Sequence, residues 1–136
     1  CENGTFGTQD GKARFTAIVP PEMGLDDDHF VLSTRRGKQF NSMVHKEKDP
    51  LTGAGRDAVF MSRADASRMD IEEGTKVLVR SESGAFIGYC HIANIKERNV
   101  QVFWPESNAL IESGRTDPLC GIPDYNAIVT LERLSG

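Results

Sequence analysis

The stretch Lys76–Ile92, KVLVRSESGAFIGYCHI, decides the fold class. Lys76–Arg80 is a run rich in β-branched residues, a composition that suits a pleated, half-buried surface, and Ala85–Ile92 returns as a second strand. Ser81-Glu82-Ser83-Gly84 between them supplies the small residues and the glycine of a reversal, so the segment reads as a β-hairpin. Toward the C-terminus, Asn99–Trp104 alternates, with Val100, Val102 and Trp104 on one face, and Pro105 closes it. Toward the N-terminus, Glu73-Gly74 is a turn, and Ser62 stands as an N-cap with Asp65 three residues on, opening a helix of two turns to about Met69. Asp65 also suits the positive end of the helix dipole. Asp70 must then end the helix, in a left-handed conformation that Asp tolerates better than most residues but less well than Gly.

Further out, Ala58–Met61 reads as a buried strand, Phe30–Ser33 as a short apolar strand and Tyr125–Leu131 as the last strand, while Asn108–Ile111 suits a single helical turn. Ala13–Val19 is a weakly alternating strand or an extended arm, stopped by Pro20-Pro21. Two long polar, Gly- and Pro-bearing loops, 41–56 and 114–124, are of the kind that carries function. Short strands, one short helix and two long loops together suggest a closed or nearly closed β-barrel over residues 26–136, preceded by a linker and arm at 1–25.

A chain of 136 residues has room for one domain. No apolar run nears the ~18 residues that cross a bilayer, and the start lacks a secretory pattern, so a soluble domain with no membrane insertion is expected. The net charge of -4 argues against nucleic acid as a partner. Cys1, Cys90 and Cys120 are an odd set without CxxC spacing, which favours a reducing, cytoplasmic setting over a disulfide or metal framework. The Gly-rich, polar start CENGTFGTQDGK reads as a piece of something longer. Phosphate-loop, dinucleotide-fold and nucleophile-elbow motifs are all missing, His29, His45 and His91 lack paired ligand spacing, and Asp26-Asp27-Asp28 reads as a solvated turn. No catalytic constellation and no metal site is complete. Cys90 reads as a small buried hydrophobe and its neighbour His91 as a surface residue.

Charge contrast is the informative feature. Between Arg35 and Arg56 stand six basic residues and two acidic ones, a local charge of +4 in a chain of net -4. Two readings stay open for this segment on composition alone. One is a solvated basic loop. The other is an anion site, in which Arg binds phosphate bidentately and Gly37 lets the backbone come close enough to donate as well.

Four stretches carry a resemblance. FVLSTRRGKQFNSMV (30–44), FMSRADASRMDIEEGTKVLV (60–79), WPESNALI (104–111) and GIPDYN (121–126) resemble, in order, the C-terminal molybdopterin-dinucleotide-binding domain of molybdenum oxidoreductases, the formate dehydrogenase, periplasmic nitrate reductase and dimethyl sulfoxide reductase group. The similarity spans about residues 28–134 and is strongest to formate dehydrogenase alpha subunits, in which STRRGKQFN and DPLTGAGRDAVF are characteristic strings. It implies a mainly β, six-stranded double-psi β-barrel with one or two short helices. It also implies molybdopterin guanine dinucleotide as cofactor, in the bis-MGD form, with molybdenum as the metal and tungsten as the alternative. The metal ligand and any iron-sulfur cluster belong, by the same resemblance, to upstream catalytic domains, which become the partners of a domain that is not catalytic alone.

By position, Ser33, Thr34, Arg35, Arg36, Gly37, Lys38, Gln39, Phe40, Asn41 and Ser42 match the family's first cofactor loop. The resemblance places the pyrophosphate of the dinucleotide on the cationic part of that loop, Arg35 to Lys38. Asn108 matches the Asn of an Asn-x-Leu-Thr motif, with Ile111 in place of Thr, and Tyr125 and Asn126 match the final loop, where many relatives carry Lys at the Asn126 position. Asn126 keeps a hydrogen-bond donor and drops the charge. Asp70 stands where relatives commonly have Gly, which touches the helix end and not the cofactor. Trp104 reads as barrel core or rim. The competing reading is a stand-alone double-psi-barrel module for substrate recognition or protein interaction, since a fold does not fix a function.

Overall fold

A computed structural model describes residues 2–20, 22, 24–39, 43 and 45–135. Six strands are present: β1 (His29–Arg35), β2 (Ala58–Met61), β3 (Lys76–Arg80), β4 (Ala85–Ile92), β5 (Asn99–Phe103) and β6 (Asn126–Arg133). They close into a barrel in the order β1-β5-β2-β4-β3-β6. Closure leaves no strand edge unpaired, so strands as short as four residues hold. The pairs β1–β5 and β2–β4 are parallel and the remaining pairs antiparallel. A parallel pair cannot be joined by a tight turn. The segment 36–57 after β1 and the segment 104–125 before β6 are the long connections this topology allows, and the barrel is the double-psi form that the resemblance implied.

The interior is filled by Phe30 and Leu32 of β1, Val59 and Met61 of β2, Val77 and Val79 of β3, Cys90, Val100, Val102, Val129 and Leu131. Each such side chain contributes about 1.5–3 kcal/mol on burial. Phe60 and Phe103 point the other way and pack ring to ring at 5.3 Å with Ala54 and Ala58 in a second, smaller core. All of β2 is buried for that reason: one face lines the barrel and the other packs against Ala54 and Phe103.

The helix α1 spans Arg63–Arg68. Ser62 caps it by accepting from the Asp65 N–H at 3.0 Å, and its hydroxyl donates to Asp65 Oδ2 at 2.6 Å. Asp70 ends it with φ at 53°, the left-handed conformation expected, and its carbonyl accepts from Arg133 at 2.9 Å. Asn108–Leu110 is a 3-10 turn. The strand alternative for Ala13–Val19 is corrected: these residues make no ladder, and Phe15 is 96% exposed. A seven-residue run between glycines and Pro20-Pro21 has no open edge to join, because the barrel is already closed. Just after the arm, the Arg98 guanidinium donates to the Asp27 carbonyl at 2.7 Å and also reaches the Asp26 carbonyl.

Candidate functional site

The register of β1 against β5 builds the site. Arg35 pairs with Phe103, and Trp104 N–H donates to the Arg35 carbonyl at 2.9 Å. Because the two strands are parallel, their next residues, Arg36 and Trp104, leave the barrel side by side. The guanidinium carbon of Arg36 lies 5.1 Å from the centroid of the Trp104 ring, within the range of a cation-π contact. Strand β6 enters antiparallel at the same end, with Asn126 opposite Ser33, which brings Tyr125 to the rim. Thr34, Arg35, Arg36, Trp104 and Tyr125 line one cavity of about 320 Å³.

Asn126 belongs to a neighbouring cavity of about 500 Å³, whose walls include Arg80, Arg115, Glu112 and the floor residue Leu110. The consecutive residues Tyr125 and Asn126 thus sit one on each side of a shared wall. Asp124 braces that wall. Its Oδ1 accepts from the Asn126 N–H at 3.0 Å and from the Asn126 side-chain amide at 3.1 Å, and its Oδ2 lies 3.4 Å from Arg115.

The two consecutive arginines have different surroundings. The Arg35 guanidinium packs over Phe60 at 4.7 Å and Phe103 at 5.5 Å, with Gln101 Oε1 at 3.5 Å, and is half-buried. Arg36 is exposed, and among the described residues no carboxylate or carbonyl accepts its N–H groups. Gly37 is buried so closely that an added Cβ would lie 2.6 Å from Phe103 Cε1 and 1.8 Å from Gln39 Oε1. Lys38 is exposed. Gln39 is only 1% exposed, and both its side-chain Oε1 and Nε2 lack a partner among the described residues. Leaving such an amide unsatisfied costs about 1–3 kcal/mol.

Ser33 and Thr34 lie half-buried in β1. Asn108 is exposed on its 3-10 turn, where its N–H donates to the Pro105 carbonyl at 3.0 Å, and it lines neither cavity. Phe40, Asn41 and Ser42 lie outside the described residues. The structure therefore brings Thr34, Arg35, Arg36 and Tyr125 together, sets Asn126 across the wall from them, and keeps Asn108 apart. Sequence reasoning missed Trp104 as a cavity wall, Gln101 beside Arg35, and Arg80 and Arg115 in the second cavity. Local pattern carries no signal for Trp104, Gln101 and Arg80, since each depends on strand pairing between residues far apart in sequence, while Arg115 is placed by the 114–124 loop.

Three comparisons with known proteins bear on the family and the fold. The family profile of the Molydopterin dinucleotide binding domain matches residues 30–129. Among curated relatives, Protein YdeP of Escherichia coli strain K12 is 27% identical over 135 residues, a match covering 89% of this chain and 18% of YdeP. The chain thus spans less than a fifth of that relative's length. Among solved structures, acetylene hydratase from Pelobacter acetylenicus superposes with a TM-score of 0.58 at 15% identity, covering 77% of this chain and 18% of the hydratase. The rationally designed apDPBB_sym_79 protein gives a TM-score of 0.50 at 14% identity, covering 79% of this chain and 99% of the design, and agrees in fold.

Proposed function

This chain belongs to the Molydopterin dinucleotide binding domain family, and from that premise we propose that it is the C-terminal cofactor-binding domain of a formate dehydrogenase-like molybdenum oxidoreductase. Residues 26–136 form the binding domain, the cofactor is molybdopterin guanine dinucleotide in its bis-MGD form, and the binding residues are those of the 33–42 loop together with Asn108, Tyr125 and Asn126. Upstream domains of a longer, cytoplasmic protein are its partners and supply the metal ligand and any iron-sulfur cluster.

One observation carries this reading: a cationic turn and two aromatic side chains line one cavity at the ends of β1 and β5, and a second cavity begins at Asn126, the residue after Tyr125. A dinucleotide is an elongated anion with a ring at each end, and two cavities divided by Tyr125-Asn126 suit that shape. The residues fit the group by their own chemistry. Arg36 and Lys38 offer donors and positive charge to the diphosphate. Gly37, without a side chain, allows close backbone approach. The unsatisfied Gln39 amide lies directly behind that glycine and is available to a polar partner once the loop adjusts.

The group supplies two-electron redox chemistry at its metal when bound. This chain's residues bind and orient. Arg35 acts as a positioning residue, clamped on Phe60 and Phe103 so that the turn beginning at Arg36 leaves the barrel in one direction. The test is molybdenum content, by mass spectrometry, of full-length protein carrying Arg36→Ala with Lys38→Ala. A fall in metal per protein is expected, and an unchanged ratio would overturn the proposal.

A further inference from the structure

Residues 13–19, ARFTAIV, form no hydrogen bond, ion pair or ring contact with any other described residue, and their apolar side chains face solvent: Phe15 is 96%, Ile18 81% and Val19 89% exposed. The pattern is nevertheless that of a half-buried strand. Ala13, Phe15, Ala17 and Val19 fall on one face at period two, and Arg14, Thr16 and Ile18 on the other. Thr, Ile, Val and Phe also favour extended backbone. Both ends are set for a strand. Ahead of the run, the Gly11 N–H donates to the Thr8 carbonyl at 3.0 Å, Gly11 holds a left-handed φ of 68°, and the Phe6 N–H donates to the Gly11 carbonyl at 3.1 Å, a turn of the kind that closes β-hairpins. Behind it, Pro20 lacks the N–H that would continue a ladder. Further on, the Arg98 and Arg68 guanidinium groups both donate to the Asp27 carbonyl, at 2.7 Å and 3.3 Å, so the barrel grips the chain after the run and leaves the run itself free.

We propose that residues 13–19 add as a strand to the exposed edge of a β-sheet in the polypeptide that precedes this domain, with Ala13, Phe15, Ala17 and Val19 against that sheet's core. The inference rests on the part of the reading above that places the barrel within a longer polypeptide, and it adds where the two portions join. This chain covers 18% of YdeP, so most of a relative of that length lies outside the barrel. The chain's own barrel offers no place for the arm, being closed, and a second copy's barrel is closed in the same way. Two arms paired with each other would make a two-stranded ribbon, which is marginal in water. A sheet edge elsewhere supplies what is missing: main-chain partners for a run of unpaired N–H and C=O groups, and cover for Phe15 and Val19.

Trypsin cleaves after Arg14, and cleavage of native protein requires the surrounding residues to be unpaired. Full-length protein is compared with the 136-residue chain, whose arm is free. Cleavage after Arg14 should be slower by about tenfold or more in the full-length protein. A strand added at an edge is bonded on one side, so only alternate N–H groups face the neighbour. Thr16→Pro and Ala17→Pro remove adjacent N–H groups, and one of the two, not both, should restore fast cleavage in the full-length protein. Neither residue touches the barrel, so both variants of the 136-residue chain should be cleaved and should melt as wild type does. Equal cleavage of full-length protein and 136-residue chain overturns the inference, and so does an equal effect of the two prolines, which would mean that side chains alone hold the arm. Molybdenum content of the same full-length sample separates the two levels: metal present with Arg14 cleaved freely defeats this inference alone, and metal absent with Arg14 protected defeats the cofactor reading alone.

Discussion

The backbone N–H of Arg98 donates to Asp65 Oδ2 at 2.8 Å, tying the turn before β5 to the first turn of α1. Asp65 is a hub, for the Ser62 hydroxyl and the Arg68 guanidinium converge on the same carboxylate. Arg98 holds a left-handed φ of 61°, a conformation that this bond and the guanidinium contacts to the Asp26 and Asp27 carbonyls keep in place.

That hub predicts an acid-sensitive element of stability. Burial by itself raises the Asp65 pKa, but the hydrogen bonds from Ser62, Arg68 and Arg98 outweigh it and hold the carboxyl below its ordinary value of 3.8. Its contribution to stability is therefore complete above the unfolded-state value and is lost as pH falls through the lower folded-state value. Asp65→Ala leaves three donors without their acceptor and should cost about 2–3 kcal/mol at neutral pH. Chemical denaturation at pH 7 and pH 3 checks it: the gap between wild type and variant should narrow in acid, and a gap that stays constant contradicts the linkage.

Gly37 predicts a steric limit on the turn. A methyl group there meets the buried Phe103 ring at 2.6 Å, and that ring is fixed by Phe60. Gly37→Ala should lower stability by about 1–3 kcal/mol through overpacking. Gly24→Ala, whose added carbon has nothing within 4 Å, serves as the control and should melt as wild type does. Equal melting of the two variants would show that Gly37 is not packed as described.

The cysteines predict selective chemistry. Burial pushes the Cys90 thiol up to about 11, with Glu73 adding to the shift, while Cys120 is exposed. The thiolate is the reactive form. Iodoacetamide at pH 8 should label Cys120 in the native protein and reach Cys90 only after denaturation, as peptide mapping would show. Native labelling of Cys90 would mean that the barrel opens locally.

Much of this fold is legible in local sequence. The hairpin of β3 and β4, the Ser62–Asp65 cap and the left-handed Asp70 all follow from residues within a few positions of one another, and the structure places each where expected. The closed barrel follows from six such strands and two long loops. Long-range pairing is what local pattern does not show. Trp104 continues the alternation of Val100 and Val102, yet Phe103 is also buried because a second core lies outside β5, and Trp104 falls beyond the strand at the rim. Arg35 and Arg36 look equivalent as a basic pair. Their different roles come from β5, which puts Phe103 and Trp104 beside them from 68 residues further along the chain.

The claim that the Arg36–Lys38 turn and the Tyr125–Asn126 wall hold a guanine dinucleotide is tested most directly by acid hydrolysis of purified full-length protein, followed by measurement of the GMP released per chain. Wild-type protein should release GMP in proportion to its metal, and the Arg36→Ala, Lys38→Ala double variant should release only a small fraction of that amount. Release of GMP by the double variant at the wild-type level would contradict the account.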